Sequence, residues 1–166
     1  MRILAILGSL GAKSANLELI HMAVSVAPEG VDVVVFDELG SLPYFDPDID
    51  PADAPPPVRS LREAIAASDA VLIAAPENGH SLPGVLKNAI DWTIGSGELE
   101  KKLVAITAAV PHTDRGRLGL AALRQTLGAV NAVIVSDEPV VRGVESAAGV
   151  RAILIGLAEA VCARMP

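Results

Sequence analysis

Short apolar runs alternate with amphipathic stretches along the whole chain. The run RILAIL near the start and the run AVLIAA at residues 70–75 are typical of strands that are buried on both faces. Between such runs, apolar residues recur every three or four positions, which is the period of a helix with one buried face. This pattern predicts strands over residues 1–7, 31–36, 70–75, 103–109 and 132–135, and helices over residues 14–27, 58–67, 84–94, 117–130 and 145–164.

The alternation of strands with helices predicts an α/β fold built on a parallel sheet. Each helix then crosses from one strand to the next with right-handed geometry, and helices cover both faces of the sheet. No internal repeat and no change of composition divides the chain. We therefore expect a single domain over residues 1–166, a three-layer sandwich with a five-stranded parallel sheet at its centre.

The loop after the first strand distinguishes two possible strand orders. Dinucleotide-binding sheets carry G-x-G-x-x-G at this point. This chain reads GSLGAKS from Gly8 to Ser14, without the third glycine and with two hydroxyls. Asp37 follows the second strand, as an acidic residue does in dinucleotide-binding sheets, but alone it is a weak signal. The loop favours the flavodoxin-like strand order 2-1-3-4-5, in which a ligand lies at the switch between the first and third strands.

The first loop offers several donors for a phosphate group. A turn from a strand into a helix leaves backbone N–H groups free at the positive end of the helix dipole. Hydroxyls, an amide and a cation lie in the same turn. A purely structural interpretation also fits, with Ser14 as the N-cap of the first helix and Ser9 as a turn residue. On the ligand-binding interpretation, the phosphate contacts come from Ser9, Lys13, Ser14, Ala15 and Asn16.

A second polar loop follows the third strand. The segment PENGHS turns away from a buried strand, and LPGVLKNAIDW then continues as a helix. Because the carboxyl ends of neighbouring parallel strands meet at one edge of a sheet, we expect this loop beside the first one. In the helix, Asn88, Asp91 and Trp92 are interpreted as structural ties. The candidate ligand residues of the second loop are Pro76, Glu77, Asn78, Gly79, His80 and Ser81.

Together the two loops resemble the motifs of the NADPH-dependent FMN reductase family, which is flavodoxin-like. The family motifs approximate GSLRxxSxN and PEYNxSxPGxLKNAIDW, and this chain reads GSLGAKSAN and PENGHSLPGVLKNAIDW. The resemblance implies that the first loop cradles the FMN phosphate and that the second lies along the isoalloxazine ring. It also implies that a hydride passes from NADPH or NADH to the flavin and on to an acceptor such as a quinone, an azo compound, free flavin or a metal ion. A homodimer or homotetramer is implied as well.

Three positions depart from the family motifs. Gly11 stands where the family has an arginine, and Asn78 and Gly79 stand where it has a tyrosine and an asparagine. We expect Lys13 to replace part of the missing positive charge. We expect the contact with the ring to be looser, or to come from His80 or from a partner subunit. The departures leave an alternative function open, that of a flavodoxin-like interaction module that binds FMN weakly or not at all.

Composition and charge exclude several classes of binding partner. The 166 residues carry a net charge of −7, and the 13 Lys and Arg residues form no cluster, which argues against nucleic acid. No apolar run approaches the roughly 20 residues of a membrane helix, and no leader-like segment opens the chain, so we expect a cytoplasmic protein without membrane contact. The three histidines lack metal-ligand spacing, so no metal is expected. Because a flavin itself performs hydride transfer, no catalytic side chain is expected.

Overall fold

The central sheet is parallel and five-stranded. A computed structural model describes residues 1–165. The sheet order is β2-β1-β3-β4-β6, which confirms the flavodoxin-like order, since β6 is the fifth strand that the sequence predicts. Two short strands, β5 and β7, pair in parallel as a separate ribbon. The strands are β1 (Arg2–Leu7), β2 (Asp32–Phe36), β3 (Ala70–Ala74), β4 (Leu103–Thr107), β5 (Ala109–Val110), β6 (Val133–Ser136) and β7 (Val140–Val141).

Helices cover both faces of the sheet, as the sequence predicts. One hydrophobic cluster joins alternate side chains of β1, such as Leu4 and Ile6, to helices α2, α3 and α4. The other joins Ile3, Ala5 and Leu7 to α1 and α5. This alternation explains why the central strands read as uninterrupted apolar runs. The helices are α1 (Ala15–Ser25), α2 (Pro56–Ala66), α3 (Gly84–Asp91), α4 (Arg117–Ala129) and α5 (Ser146–Cys162).

Several helix ends differ from the predicted ends. Helix α2 begins two residues before the predicted start, because Pro56 occupies its first turn, where no amide partner is needed. Helix α3 ends at Asp91 rather than at residue 94. The connection after β2 contains two short 3-10 turns, at Leu39–Ser41 and Pro51–Asp53.

The predicted strand over residues 103–109 is interrupted at Ala108. Thr107 at the end of β4 is fully buried, and its hydroxyl donates to the carbonyl oxygen of Glu138 at 2.9 Å. Beyond this point the chain leaves the main sheet and pairs with β7. Strands of two residues are too short for a hydrophobic period, so the β5–β7 ribbon has no sequence signal. The ribbon adds a third segment to the carboxyl edge of the sheet.

The longest helix, α5, has 17 residues. A span across a bilayer needs about 20 consecutive apolar residues. None of the helices within residues 1–165 has the length and hydropathy of a membrane span.

Candidate functional site

The two candidate loops leave the sheet side by side. The Gly8 N–H at the end of β1 donates to the carbonyl oxygen of Ala74 at the end of β3, at 2.8 Å. A Cβ atom on Gly8 would lie 2.7 Å from the Cβ of Ala75, closer than two such atoms can approach. Strand β1 lies between β2 and β3, so the loops meet at the switch point where ligands bind in open α/β sheets.

Side-chain oxygens define the shape of the first loop. The Ser14 hydroxyl oxygen accepts the N–H of Asn16 at 3.2 Å, which makes Ser14 the N-cap of α1. The Ser9 hydroxyl oxygen accepts the N–H of Gly11 at 3.3 Å. The structural interpretation of both serines is therefore correct. It does not exclude ligand binding, because a hydroxyl that accepts a hydrogen bond still has its own O–H to donate.

Several backbone N–H groups of the first loop have no hydrogen-bond acceptor in the described part of the protein. Within residues 1–165, the amides of Leu10, Ala12, Lys13 and Ala15 donate to no protein acceptor. These amides lie at or just before the first turn of α1, where the helix dipole favours negative charge. The Lys13 side chain is exposed beside them. The loop thus offers several free backbone donors and one cation, which suits a phosphate group.

Asn16 holds the first loop against the β5–β7 ribbon. Its side chain is 3% exposed, and its Oδ1 accepts the N–H of Ala109 at 2.9 Å. The side-chain amide nitrogen remains as its donor toward a ligand. Asn16 therefore links α1 to β5, a structural role that has no signal in the sequence of the loop.

The second loop contains a tight turn over residues 78–81. The N–H of Asn78 donates to the carbonyl oxygen of Ser81, and the N–H of Ser81 donates to that of Asn78, both at 3.0 Å. Gly79 and His80 have positive φ values of 56° and 62°, the pattern of a type I′ turn. His80 is among the few residue types that adopt this conformation readily. The amides of Gly79 and His80 take no part in the hydrogen bonds that close the turn.

Glu77 joins the second loop to helix α4. Its Oε2 accepts the N–H groups of Leu118 and Gly119, both at 3.0 Å. Its Oε1 lies 3.4 Å from the Nδ1 of His80, whose side chain is 80% exposed. The Gly119 N–H holds the pKa of the Glu77 carboxyl below its usual range, helped by the Leu118 N–H and by His80 and opposed by partial desolvation. The carboxylate is therefore charged at neutral pH.

The contact between Glu77 and α4 has almost no signal in the sequence. The N-cap of α4 is Gly116, with φ 83° and no capping side chain. A helix that starts at glycine leaves its first amides without partners unless another segment supplies an acceptor. The acceptor comes from 41 and 42 positions away. The bare glycine at the start of α4 was the only sequence signal, and it does not indicate which residue fills the role.

Two of the residues in or next to helix α3 that were interpreted as structural ties, Asn88 and Trp92, make such contacts. The Asn88 side-chain amide and the Trp92 indole N–H both donate to the carbonyl oxygen of Pro43, at 2.9 Å each. The Asn88 Oδ1 also accepts the N–H of Phe45 at 2.8 Å, and the ring of Phe45 packs edge-on against that of Trp92. These contacts fix the connection after β2 against α3.

An open cleft adjoins the second loop. It lies between α3 and α4, has a volume of about 460 Å³ and begins at Ser81 and Leu82. Its walls are largely apolar, with Lys87 and Asp91 paired across one turn of α3 at its edge. The candidate loops themselves form a rim that is open to solvent on the side of His80.

A family model for NADPH-dependent FMN reductase matches residues 1–145. The chain belongs to this family. It is 37% identical to the NAD(P)H-dependent FMN reductase of Pseudomonas aeruginosa over 76% of this chain and 69% of that protein. It is 30% identical to the quinone reductase of Escherichia coli over 87% of this chain and 78% of that protein.

Comparison with solved structures agrees with the family assignment. The protein superposes on FerB, a flavoenzyme NAD(P)H:(acceptor) oxidoreductase from Paracoccus denitrificans, with a TM-score of 0.82. The match covers 95% of this chain and 97% of FerB, at 27% identity. The predicted oxidoreductase class is thereby confirmed, with FMN as the cofactor and NAD(P)H as the co-substrate of the family.

Proposed function

We propose that this FMN reductase family member binds FMN across its two rim loops and uses it to pass a hydride from NAD(P)H to a small quinone-like acceptor. Residues 8–16 bind the phosphate and residues 76–81 bind the ring. The observation that carries the proposal is the set of unused amides at Leu10, Ala12, Lys13 and Ala15, in a loop that leaves the sheet next to the start of the second loop. Charge-assisted hydrogen bonds from such amides are the usual means of holding a phosphate.

The donor set suits a mononucleotide better than a dinucleotide. The N-terminus of α1 leaves amides free beside the first loop, whereas the N-terminus of α4 is already filled by the Glu77 carboxylate. The first loop therefore accommodates one phosphate group next to Ser9, Ser14 and the Asn16 amide nitrogen. The exposed Lys13 adds a positive charge, in partial replacement of the arginine of the family motif.

The chain's own contribution to the reaction is to bind and orient. Bound FMN supplies the hydride chemistry. We expect the amides of Gly79 and His80 to donate to the polar edge of the ring, and such fixed donors favour negative charge on their ligand. The open rim beside His80 admits the nicotinamide and the acceptor in turn, so we expect ping-pong kinetics. No side chain within the two loops is assigned as a general acid or base.

The acceptor class is inferred from the names of relatives. Besides the quinone reductase of E. coli, a 2-hydroxy-1,4-benzoquinone reductase from Burkholderia is 40% identical over 55% of this chain and 49% of that protein. We propose a quinone as the acceptor, ahead of azo compounds, free flavin and metal ions. We further propose one domain over residues 1–166, a homodimer or homotetramer, and a cytoplasmic location, where NAD(P)H is available.

A flavin titration with a matched ligand tests the proposal. Apoprotein is titrated with FMN and with riboflavin, which has the same ring and no phosphate, while flavin fluorescence is followed. We expect FMN to bind at least about tenfold more tightly, because only FMN engages the charge-assisted donors of the first loop. Equal affinity for the two ligands would reject the phosphate site. The absence of any flavin binding would favour the interaction-module alternative.

A kinetic assay tests the activity itself. NADPH and NADH oxidation is measured with a panel of quinones, an azo dye, free flavin and ferric ion, with and without added FMN. We expect FMN-dependent oxidation that is fastest with a quinone, and parallel lines in double-reciprocal plots. Oxidation that proceeds at the same rate without FMN would contradict the proposed function.

A further inference from the structure

We propose that Glu77 is a positioning residue for the FMN site, in which its carboxylate fastens the second loop to the first turn of helix α4. The inference rests on the proposed function, because it concerns the same loop. It assigns the Glu77 side chain to α4 rather than to the flavin, and it leaves the backbone of residues 77–81 as the part of the loop that faces the ligand.

The geometry of this clamp (Glu77 with the amides of Leu118 and Gly119) is specific. One carboxylate oxygen accepts two consecutive backbone N–H groups at equal distances of 3.0 Å. Helix α4 has no capping side chain of its own, since its N-cap is Gly116. A carboxylate at a helix N-terminus is favoured both by these hydrogen bonds and by the helix dipole. Glu77 therefore caps α4 from another part of the chain.

Gly119 is required for the close contact. A Cβ atom on Gly119 would lie 3.0 Å from both the Cα and the Cβ of Glu77, and 3.2 Å from its Cγ. Because the contact includes the backbone of Glu77, a side chain at position 119 has to shift Glu77 away from α4 by a few tenths of an ångström. Position 119 therefore tests the clamp without altering the carboxylate.

The clamp lies immediately before the tight turn at residues 78–81. Gly79 and His80 hold left-handed backbone conformations there, and two reciprocal hydrogen bonds close the turn. Glu77 fixes where this turn starts, and its second oxygen faces His80 at 3.4 Å. The position of the Gly79 and His80 amides relative to the first loop thus depends on the contact between Glu77 and α4.

The clamp depends on the charge of Glu77. On the α4 side the carboxylate faces only backbone N–H groups, and on its own loop it faces His80. The pKa of Glu77 is lowered in the folded protein, first of all by the Gly119 N–H. A lowered pKa means that the clamp is complete above the ordinary pKa range of glutamate and is lost as the pH falls through the folded-state value.

FMN titrations of three variants test the role. We expect Glu77→Ala and Gly119→Ala each to weaken FMN binding by about tenfold, the change expected when charge-assisted hydrogen bonds are lost. We expect Glu77→Gln to weaken it less, because its amide oxygen still accepts N–H groups. Glu29→Ala, at an exposed turn far from the rim, is the control and keeps the wild-type dissociation constant. Wild-type affinity in both Glu77→Ala and Gly119→Ala overturns the proposal.

Amide resonances give a readout that needs no flavin. In the wild-type apoprotein, the ¹⁵N–¹H signals of Leu118 and Gly119 are expected to move with a midpoint below the ordinary pKa of glutamate. The movement persists in His80→Asn, which keeps a residue type that tolerates the turn, and it disappears in Glu77→Gln. Signals that stay fixed with pH in the wild type, or still move in Glu77→Gln, overturn the clamp.

The two hypotheses fail in different ways. Wild-type protein that binds no FMN overturns the proposed function and the positioning role that depends on it. Wild-type protein that binds FMN, together with Glu77→Ala and Gly119→Ala variants of unchanged affinity, overturns the positioning role alone.

Discussion

Gly11 is a departure from the family motif that leaves space for the missing side chain. A Cβ atom at this position would meet only the Ser9 Oγ at 3.8 Å and the Ser14 Cβ at 3.9 Å, both ordinary contacts. The backbone of Gly11 is not in the left-handed region, since its φ is not positive. Lys13 is the only cationic side chain in the loop and it is exposed. A side chain can therefore start at position 11 without a clash at its Cβ atom.

The variant Gly11→Arg is expected to bind FMN more tightly, by up to about tenfold, because a guanidinium adds paired hydrogen bonds to phosphate oxygens. Gly128→Arg is the matched control, since Gly128 lies on the exposed side of α4 with open space and the change in net charge is identical. The measurement is the FMN dissociation constant of each variant. Equal effects of the two arginines would show that net charge, rather than phosphate contact, is responsible.

Two glycines near the candidate site, Gly8 and Gly84, differ in how closely their neighbours approach. Gly8 lets the end of β1 approach Ala75 at the end of β3, and this approach places the two loops side by side. Gly84 starts helix α3 in open space, where no neighbour lies within 4 Å of a would-be Cβ atom. The two glycines therefore differ in what a methyl group would do.

Gly8→Ala is expected to lower the free energy of unfolding by about 1–3 kcal/mol, the usual cost of an extra methyl group in a packed interior. Gly84→Ala is expected to be neutral or stabilising by up to about 1 kcal/mol, because alanine favours a helix. Urea denaturation measures both. A Gly8→Ala variant as stable as wild type would mean that the ends of β1 and β3 are less closely packed than the structure shows.

Asn16 joins α1 to the β5–β7 ribbon, and two substitutions separate this role from ligand binding. Asn16→Ala leaves the Ala109 N–H without its acceptor and is expected to destabilise the fold by about 1–3 kcal/mol. Asn16→Asp keeps an acceptor but adds negative charge beside the phosphate donors. It is expected to retain more stability than Asn16→Ala while binding FMN more weakly than wild type. Thermal unfolding and FMN titration check the two parts, and equal loss of stability in both variants would contradict the assignment.

Local sequence patterns predict the strands and loops that form the candidate site. They do not predict the contacts that join these elements. The apolar runs of β1 and β3 and the polar loops after them are continuous in sequence, so their positions could be predicted. The Glu77 contact with α4 and the Asn16 contact with Ala109 join residues far apart in the chain. No local rule specifies such a partner. The expectation of a single strand over residues 103–109 was wrong for the same reason, since β5 exists only through its pairing with β7.

At the scale of the whole molecule, the order of strands and helices in the sequence predicts the fold. It does not predict the number of chains in the oligomer. The two hydrophobic clusters on either face of the sheet contain the buried apolar side chains of helices α1 to α5. The open rim beside His80 and the cleft between α3 and α4 are surfaces that one chain leaves uncovered. A homodimer or homotetramer is the expectation from the family resemblance.

Solution mass tests the expected assembly. The chain has a mass of 17.1 kDa, and we expect light scattering during size-exclusion chromatography to give twice or four times this value at micromolar concentration. Added FMN is expected to leave the mass unchanged or to shift it toward the larger species, because a ligand that binds the assembled form stabilises it. A mass of one chain, with and without FMN, would contradict the proposed oligomer.

The central claim is that FMN lies across the two rim loops at the ends of β1 and β3. A crystal structure of the FMN-loaded protein tests it most directly. We predict a phosphate within hydrogen-bond distance of the amides between Leu10 and Ala15, and an isoalloxazine ring along residues 76–81. Flavin density in the cleft between α3 and α4, or a phosphate held away from the first turn of α1, would contradict the account.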